Sequence, residues 1–193
     1  MTAQRGCQYD SKPLKTKAEI ELVRELIKTK TKDPLRNLLI FNLGINNGIR
    51  TNDILKLKVS DVLGKDATTI IESKTGKQRK LRLNVANIKD DLAELCKHKN
   101  GDDYVFTSYK NPKQPIQTIT VYRLFKRLAS EHPSLHGLTA HSMRRTFGYC
   151  YYQRTKDIVT LMKLFNHSSQ AVTLRYIGIE QEQLDESLKG FEL

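Results

Sequence analysis

His141 and Arg144 stand three residues apart in His141-Ser142-Met143-Arg144. On a helix that spacing points both side chains the same way. A guanidinium fork matches two phosphate oxygens, and an imidazole can pass a proton. Further on, His167-Ser168-Ser169 is followed by Tyr176. Ser168 is expected to cap a new helix that carries Tyr176 on its third turn, with His167 at the helix start near the phenol. A phenol has a pKa of about 10, so it attacks at neutral pH only with help. Taken singly, each pattern has a plainer reading. A His-x-x-Arg pair often lies on a solvated helix face. A tyrosine on an amphipathic helix is usually half-buried core, the role expected for Tyr149, Tyr151 and Tyr152. Arg50, after Gly48, would by itself be a surface arginine.

Helices must position most of these groups. Thr16-Lys17-Ala18-Glu19 is a capping box that opens a first helix through Ile20, Val23 and Ile27. Asp33-Pro34 opens a second, which Asn46-Asn47-Gly48 closes because these residues tolerate left-handed angles. A short helix is expected near 51–57. Thr68–Ile71 and Lys80–Leu83 read as strands of a hairpin about the turn Lys74-Thr75-Gly76-Lys77. Ile88, Leu92, Leu95 and Cys96 fall at helical spacing, as do Val121, Leu124, Phe125 and Leu128. Pro133 and Gly137 mark a loop. From Ala140 onward the chain reads as helical, with breaks near Thr155-Lys156-Asp157 and at His167-Ser168. The expected fold is mostly α with a small antiparallel β-sheet, an α+β domain. Residues 1–13 are expected to be flexible, 14–176 to form the domain, and 177–193 to form an acidic amphipathic tail.

The 193 residues suffice for one domain with a real core. No apolar run approaches the roughly 20 residues that cross a bilayer, and no signal peptide opens the chain. Cys7, Cys96 and Cys150 fit neither a zinc pattern nor a disulfide framework. A reducing cytoplasm is the expected setting. The net charge of +12 points to a polyanionic partner, the plainer alternative being a basic protein without one. Residues 177–193 run the other way: Glu180, Glu182, Asp185, Glu186 and Glu192 face only Lys189. An acidic last segment on a basic body suggests a tail made for protein rather than nucleic acid.

In conjunction these patterns resemble the tyrosine recombinase family, which includes phage integrases and bacterial Xer-type recombinases. The resemblance runs from about Thr16 to the end of the chain. Asn47–Leu55, with Arg50, is similar to the family's first arginine box, and Lys74 in Ser73-Lys74-Thr75-Gly76 to its mobile lysine. His141–Arg144 matches the second box, and Leu164–Ser169 resembles the third. Arg175-Tyr176 stands nine residues beyond His167, the spacing the family uses for its nucleophile.

The resemblance implies cleavage and rejoining of double-stranded DNA through Tyr176. Arg50 and Arg144 would clamp the non-bridging oxygens, and His167 would donate a further hydrogen bond. His141 would accept the phenol proton, and Lys74 would protonate the leaving 5′ oxygen. The product is a 3′-phosphotyrosyl link and a free 5′-hydroxyl, with no ATP, metal or other cofactor and no small-molecule substrate. Two departures stand out. Asp53 replaces the family's usual glutamate, and a shorter carboxylate is expected to buttress Arg50. Asn166 replaces glycine, and asparagine also tolerates the left-handed turn. Lys77 and Lys80 compete with Lys74 for the lysine's role.

The resemblance also implies a tetramer on DNA, in a prokaryotic or phage setting near the nucleoid. Ile177, Leu184, Leu188 and Phe191 read as one face of an amphipathic tail helix, which packs either on its own domain or on a neighbouring subunit. Only about 15 residues precede the first helix. That fits an excised catalytic domain or a short recombinase resembling fimbrial-switch invertases, and Met1 leans to the second. A type IB topoisomerase, which uses much the same residues, and a non-catalytic DNA-binding protein remain alternatives. A metal-dependent nuclease is disfavoured, because no carboxylate cluster accompanies the arginines.

Overall fold

The structure, a computed structural model, describes residues 11–179, 186 and 188–192. In chain order its helices are α1 (Lys17–Lys30), α2 (Pro34–Asn47), α3 (Thr51–Leu55) and α4 (Val59–Val62). The strands β1 (Ala67–Ile71) and β2 (Gln78–Arg82) follow. After them come α5 (Ile88–Leu95), α6 (Thr118–Glu131), α7 (Ala140–Thr155), α8 (Ile158–Phe165) and α9 (Gln170–Ile177). The mostly helical fold with one small sheet is the one expected. The four-residue α4 was not anticipated, being too short to show a period.

Local chemistry sets most boundaries. The Thr16 hydroxyl accepts from the Glu19 amide at 3.1 Å, and the Glu19 carboxylate accepts from the Thr16 amide at 2.9 Å. Those two bonds satisfy donors that a helix start leaves unpaired. At α2 the proline does sit in the first turn, but Asp33 makes no cap bond. Its carboxylate pairs with Arg36 at 3.0 Å and accepts the Tyr109 hydroxyl at 2.7 Å. Gly48 ends α2 at φ +62°. A Cβ there would collide with the Phe147 ring, so the turn needs both the angle and the missing side chain.

Helix α2 runs through the centre, buried without interruption from Leu39 to Gly44, and packs against α1, α3, α5 and α7. The main core gathers Val23, Ile27, Phe41, Phe106 and Phe125 with the buried faces of α1 to α6. A second, smaller core holds Leu161, Phe165, Ile177 and Ile179, ringed by Phe147, Tyr149, Tyr151, Tyr152 and Tyr176. Helix α7 links the two. Its Met143 sits so close to α2 that a Cβ on Gly44 would lie 2.7 Å from the sulfur. One turn later, a Cβ on Gly148 would lie 2.7 Å from Phe165 and Ile177.

The hairpin is antiparallel, with Ala67 opposite Arg82 and Ile71 opposite Gln78. The Asn47 side chain continues the sheet onto α2: its Nδ2 donates to Arg82 O at 3.1 Å, and its Oδ1 accepts the Arg82 amide at 2.7 Å.

Both ends of the chain differ from expectation where they are described. Ser11–Pro13 fall in the segment expected to be flexible, yet Ser11 Oγ lies 2.7 Å from Thr139 Oγ1 and the Lys12 amide donates to Gly137 O at 3.0 Å. Leu14 follows into the core, its amide donating to Thr146 Oγ1 at 2.8 Å. Residues 1–10 lie outside the described residues. Ile177 does not begin the tail; it is fully buried as the last residue of α9, and Gly178 at φ +74° stops that helix. A single helical face from Ile177 to Phe191 is therefore broken at its start. Leu184 lies outside the described residues, while Leu188 and Phe191 are exposed.

Candidate active site

Four elements deliver the chemistry-bearing residues to one place. Arg50 sits at the entry to α3, immediately after the Gly48 turn. Arg144 is on the second turn of α7 and is buried. His167 follows the α8 C-cap, Asn166, which adopts the expected left-handed angle at φ +54°. Tyr176 is on α9. The cap of that helix is Ser169, not Ser168: the Ser169 hydroxyl accepts from the Val172 amide at 3.2 Å. The later start leaves Tyr176 near the end of a two-turn helix rather than on a third turn.

Arg50 and Arg144 meet at one carboxylate, that of Glu72. Arg50 Nη1 donates to Glu72 Oε2 at 2.9 Å, and Arg144 Nη1 lies 3.6 Å from Oε1. Burial alone would raise the Glu72 pKa. The Thr75 hydroxyl, the Arg50 hydrogen bond and the charges of Arg50 and Arg144 outweigh it and hold the group below its usual range. Arg144 also spans two turns, donating to Gly48 O and, at 3.1 Å, to Phe165 O. Its guanidinium covers the Phe165 ring at 4.3 Å.

The rings of His167 and Tyr176 stand edge to face, 5.0 Å apart, and each packs against Phe165. Thr173 Oγ1 engages His167 Nδ1 at 3.1 Å, so Nε2 is the nitrogen left to meet a ligand. Burial, then the charges of Arg144 and Arg50, lower the His167 pKa. Burial raises that of Tyr176, while Arg144, Arg145 and Arg50 oppose it. The phenol is thus protonated at neutral pH and must surrender its proton to react.

His141 stands at the rim of the same site. The residue is exposed, but partial desolvation on the side that meets the site lowers its pKa, and the charges of Arg145, Arg144, Lys74 and Arg50 lower it further. The ring is therefore neutral near pH 7 and free to accept a proton. Lys74 is exposed in the hairpin turn, close enough for its charge to act on His141. Of its rivals, Lys77 donates to Asn166 Oδ1, and Lys80 is exposed on β2 opposite Thr69. Of the three lysines, Lys74 is the one whose charge acts on His141.

Asp53 departs from expectation. It is buried, but its Oδ1 accepts the Ser73 amide at 2.9 Å, and its Oδ2 has no hydrogen bond. Asp53 holds the hairpin turn, and the buttress expected of it for Arg50 comes from Glu72. The reason is reach: a carboxylate one methylene shorter than glutamate, three residues past Arg50, is engaged by the turn backbone. The one sequence signal for Glu72 was its isolation, a lone acid beside a hairpin carrying Lys74, Lys77, Arg79, Lys80 and Arg82. Arg145 was also missed. Its guanidinium lies 4.8 Å from the Tyr176 ring centroid, a cation–π contact that no spacing rule would single out.

Known proteins resemble this chain in sequence and in fold. The phage integrase family model matches residues 16–183. A Bacillus subtilis (strain 168) protein named "Probable integrase/recombinase YoeC" is 38% identical over 179 residues, 93% of this chain and 96% of the relative. The tyrosine recombinase XerA of Pyrococcus furiosus is 27% identical over 177 residues, and there the chain spans only 60% of the relative's length. Among solved structures, a XerA recombinase superposes over 96% of this chain and 65% of its own, with a TM-score of 0.70 at 21% identity. The XerH recombinase in a post-cleavage complex with its difH substrate gives a TM-score of 0.67 at 24% identity, over 93% of this chain and 53% of its own. By fold, site and relatives together, the chain belongs to the phage integrase family, as a tyrosine recombinase catalytic domain.

Proposed function

We propose that this protein is a site-specific DNA recombinase that cuts and rejoins strands through a 3′-phosphotyrosyl link at Tyr176. The observation that carries the reading is the meeting of Tyr176 and His167, 5.0 Å apart, beside an Arg50–Arg144 pair that shares the Glu72 carboxylate. Two guanidinium groups suit the non-bridging oxygens of a phosphodiester, where charge builds in the transition state. His167 Nε2 adds a contact to the same phosphoryl group.

In the step, the Tyr176 oxygen bonds to phosphorus as the bond to the 5′ oxygen breaks. The phenol proton passes to neutral His141, and Lys74 gives a proton to the departing oxygen. The link retains the bond energy, so a 5′-hydroxyl of a partner strand reverses the step without ATP. The basic charge of the chain suits binding that weakens steeply with salt. Several subunits, a tetramer by the family resemblance, would act together on two duplexes. Relatives named as recombinases and integrases favour strand exchange over topoisomerase-like relaxation.

The test is a duplex nicked beside the cleavage site, which traps the covalent intermediate for mass spectrometry. The adduct is expected on Tyr176 and absent in Tyr176→Phe, with formation unaffected by EDTA. An adduct elsewhere, or DNA binding without cleavage in the unaltered protein, overturns the reading. Resolution of a four-way junction separates recombination from relaxation.

A further inference from the structure

Arg144 is not alone in spanning the two turns of the site. Arg79, on β2, does the same one carbonyl further back along each turn. Its Nη2 donates to Asn47 O at 2.9 Å, and its Nη1 donates to Leu164 O at 3.0 Å. Arg144 takes the next residue of each turn, Gly48 O and Phe165 O. Two guanidinium groups therefore rivet the same pair of turns side by side. One turn leads within two residues to Arg50, the other to His167.

We propose that Arg79 is a positioning residue for strand cleavage, holding the turns that present Arg50 and His167 at a fixed separation and tying the Lys74 hairpin to both. The carbonyls it takes lie at or near the C-terminal ends of α2 and α8. Such carbonyls lack partners inside their own helices, and a cation there also meets the negative end of the helix dipole. Arg79 is only part-exposed, and burial lowers its pKa while the Glu72 charge opposes that loss. Both Nη atoms are committed to protein, which suits a clamp better than a phosphate contact. Arg82, two residues on, offers a contrast: it is exposed, and its guanidinium donates to Asn46 O of one turn. A lysine at position 79 would keep charge and stem but has one nitrogen where the fork has two.

The inference rests on the cleavage reading above, and its test has one arm that does not. Arg79→Lys and Arg79→Met are compared with the unaltered protein. Without DNA, the His167 ring signal is followed by NMR and assigned with His167→Asn. Its titration midpoint is expected to rise toward the ordinary 6.5 as the turn loosens and the ring gains water. On the nicked duplex, single-turnover adduct formation is expected to slow by about ten- to a hundred-fold, the scale of a misplaced catalytic group. DNA affinity and its salt slope should stay unchanged. Combined with His167→Asn, the loss should be less than the product of the two single losses.

An unmoved His167 titration overturns the proposal, whether or not the protein cleaves. So does a rate that survives in folded Arg79→Lys. A loss confined to affinity with a shallower salt slope overturns it too, since that marks a phosphate contact. Absence of adduct in the unaltered protein sinks the cleavage reading instead, leaving the NMR arm to decide Arg79. If Arg79→Met fails to fold, Arg79→Lys decides alone.

Discussion

Replacing Glu72 by glutamine tests the charge balance of the site. Glutamine keeps the shape and one accepting oxygen but removes the negative charge that Arg50 and Arg144 share at 2.9 and 3.6 Å. The Glu72 side chain is 4% exposed and that of Arg50 23%, so solvent screens the pair only in part. A hydrogen bond to a charged group contributes about 1.5–3 kcal/mol, so a loss of about 2 kcal/mol is expected at pH 7. For a domain of this size that lowers Tm by about 4–8 °C. The pH dependence carries the argument. The folded-state pKa of Glu72 is depressed, so its stabilisation is complete above the ordinary carboxylate value of 4.5 and is lost as pH falls through the folded value. Urea unfolding of both proteins from pH 7 to pH 3 should show the gap closing toward the acid end. Salt should narrow it little, given the burial. DNA affinity should rise in the variant, because a phosphate would meet two cations without a competing carboxylate. A stability gap that stays constant with pH, or none at pH 7, would refute the assignment of Glu72 as the shared counter-charge.

Three further outcomes follow from the same geometry. Asp53→Asn keeps an oxygen for the Ser73 amide and should cost little. Asp53→Ala removes the acceptor of that part-buried bond and should cost about 1 kcal/mol in urea unfolding, with Arg50 chemistry affected only through the turn. Gly48→Ala combines a left-handed angle with a collision against Phe147, and calorimetry should show a loss of about 2–5 kcal/mol. The rate of adduct formation should fall in acid, beginning below pH 6.5, as the depressed His141 titrates and loses its capacity to accept a proton; His141→Gln should flatten that limb.

Much of the domain was legible because its signals are local. The capping box at Thr16, the Pro34 start, the Gly48 stop and the left-handed Asn166 each act through bonds or angles within a few residues. The helical period of α6 and the alternation of β2 are likewise short-range. Boundaries that rest on one side-chain bond were less legible. Ser168 and Ser169 are chemically alike, and only the placement of the backbone selects which hydroxyl reaches the Val172 amide.

The amino-acid sequence by itself determined which groups are present, in what order, and on which kind of element each would ride. Arg50, Lys74, His141, Arg144, His167 and Tyr176 could all be named from it. Tertiary structure alone decided who meets whom. That Glu72 rather than Asp53 faces Arg50, that Lys77 is engaged by Asn166, and that Arg79 and Arg144 bridge the same two turns are contacts across 21 to 96 residues of chain. No periodicity encodes such contacts. They follow from how two cores pack around α7, and a carboxylate one methylene shorter or longer changes its partner once that packing is set.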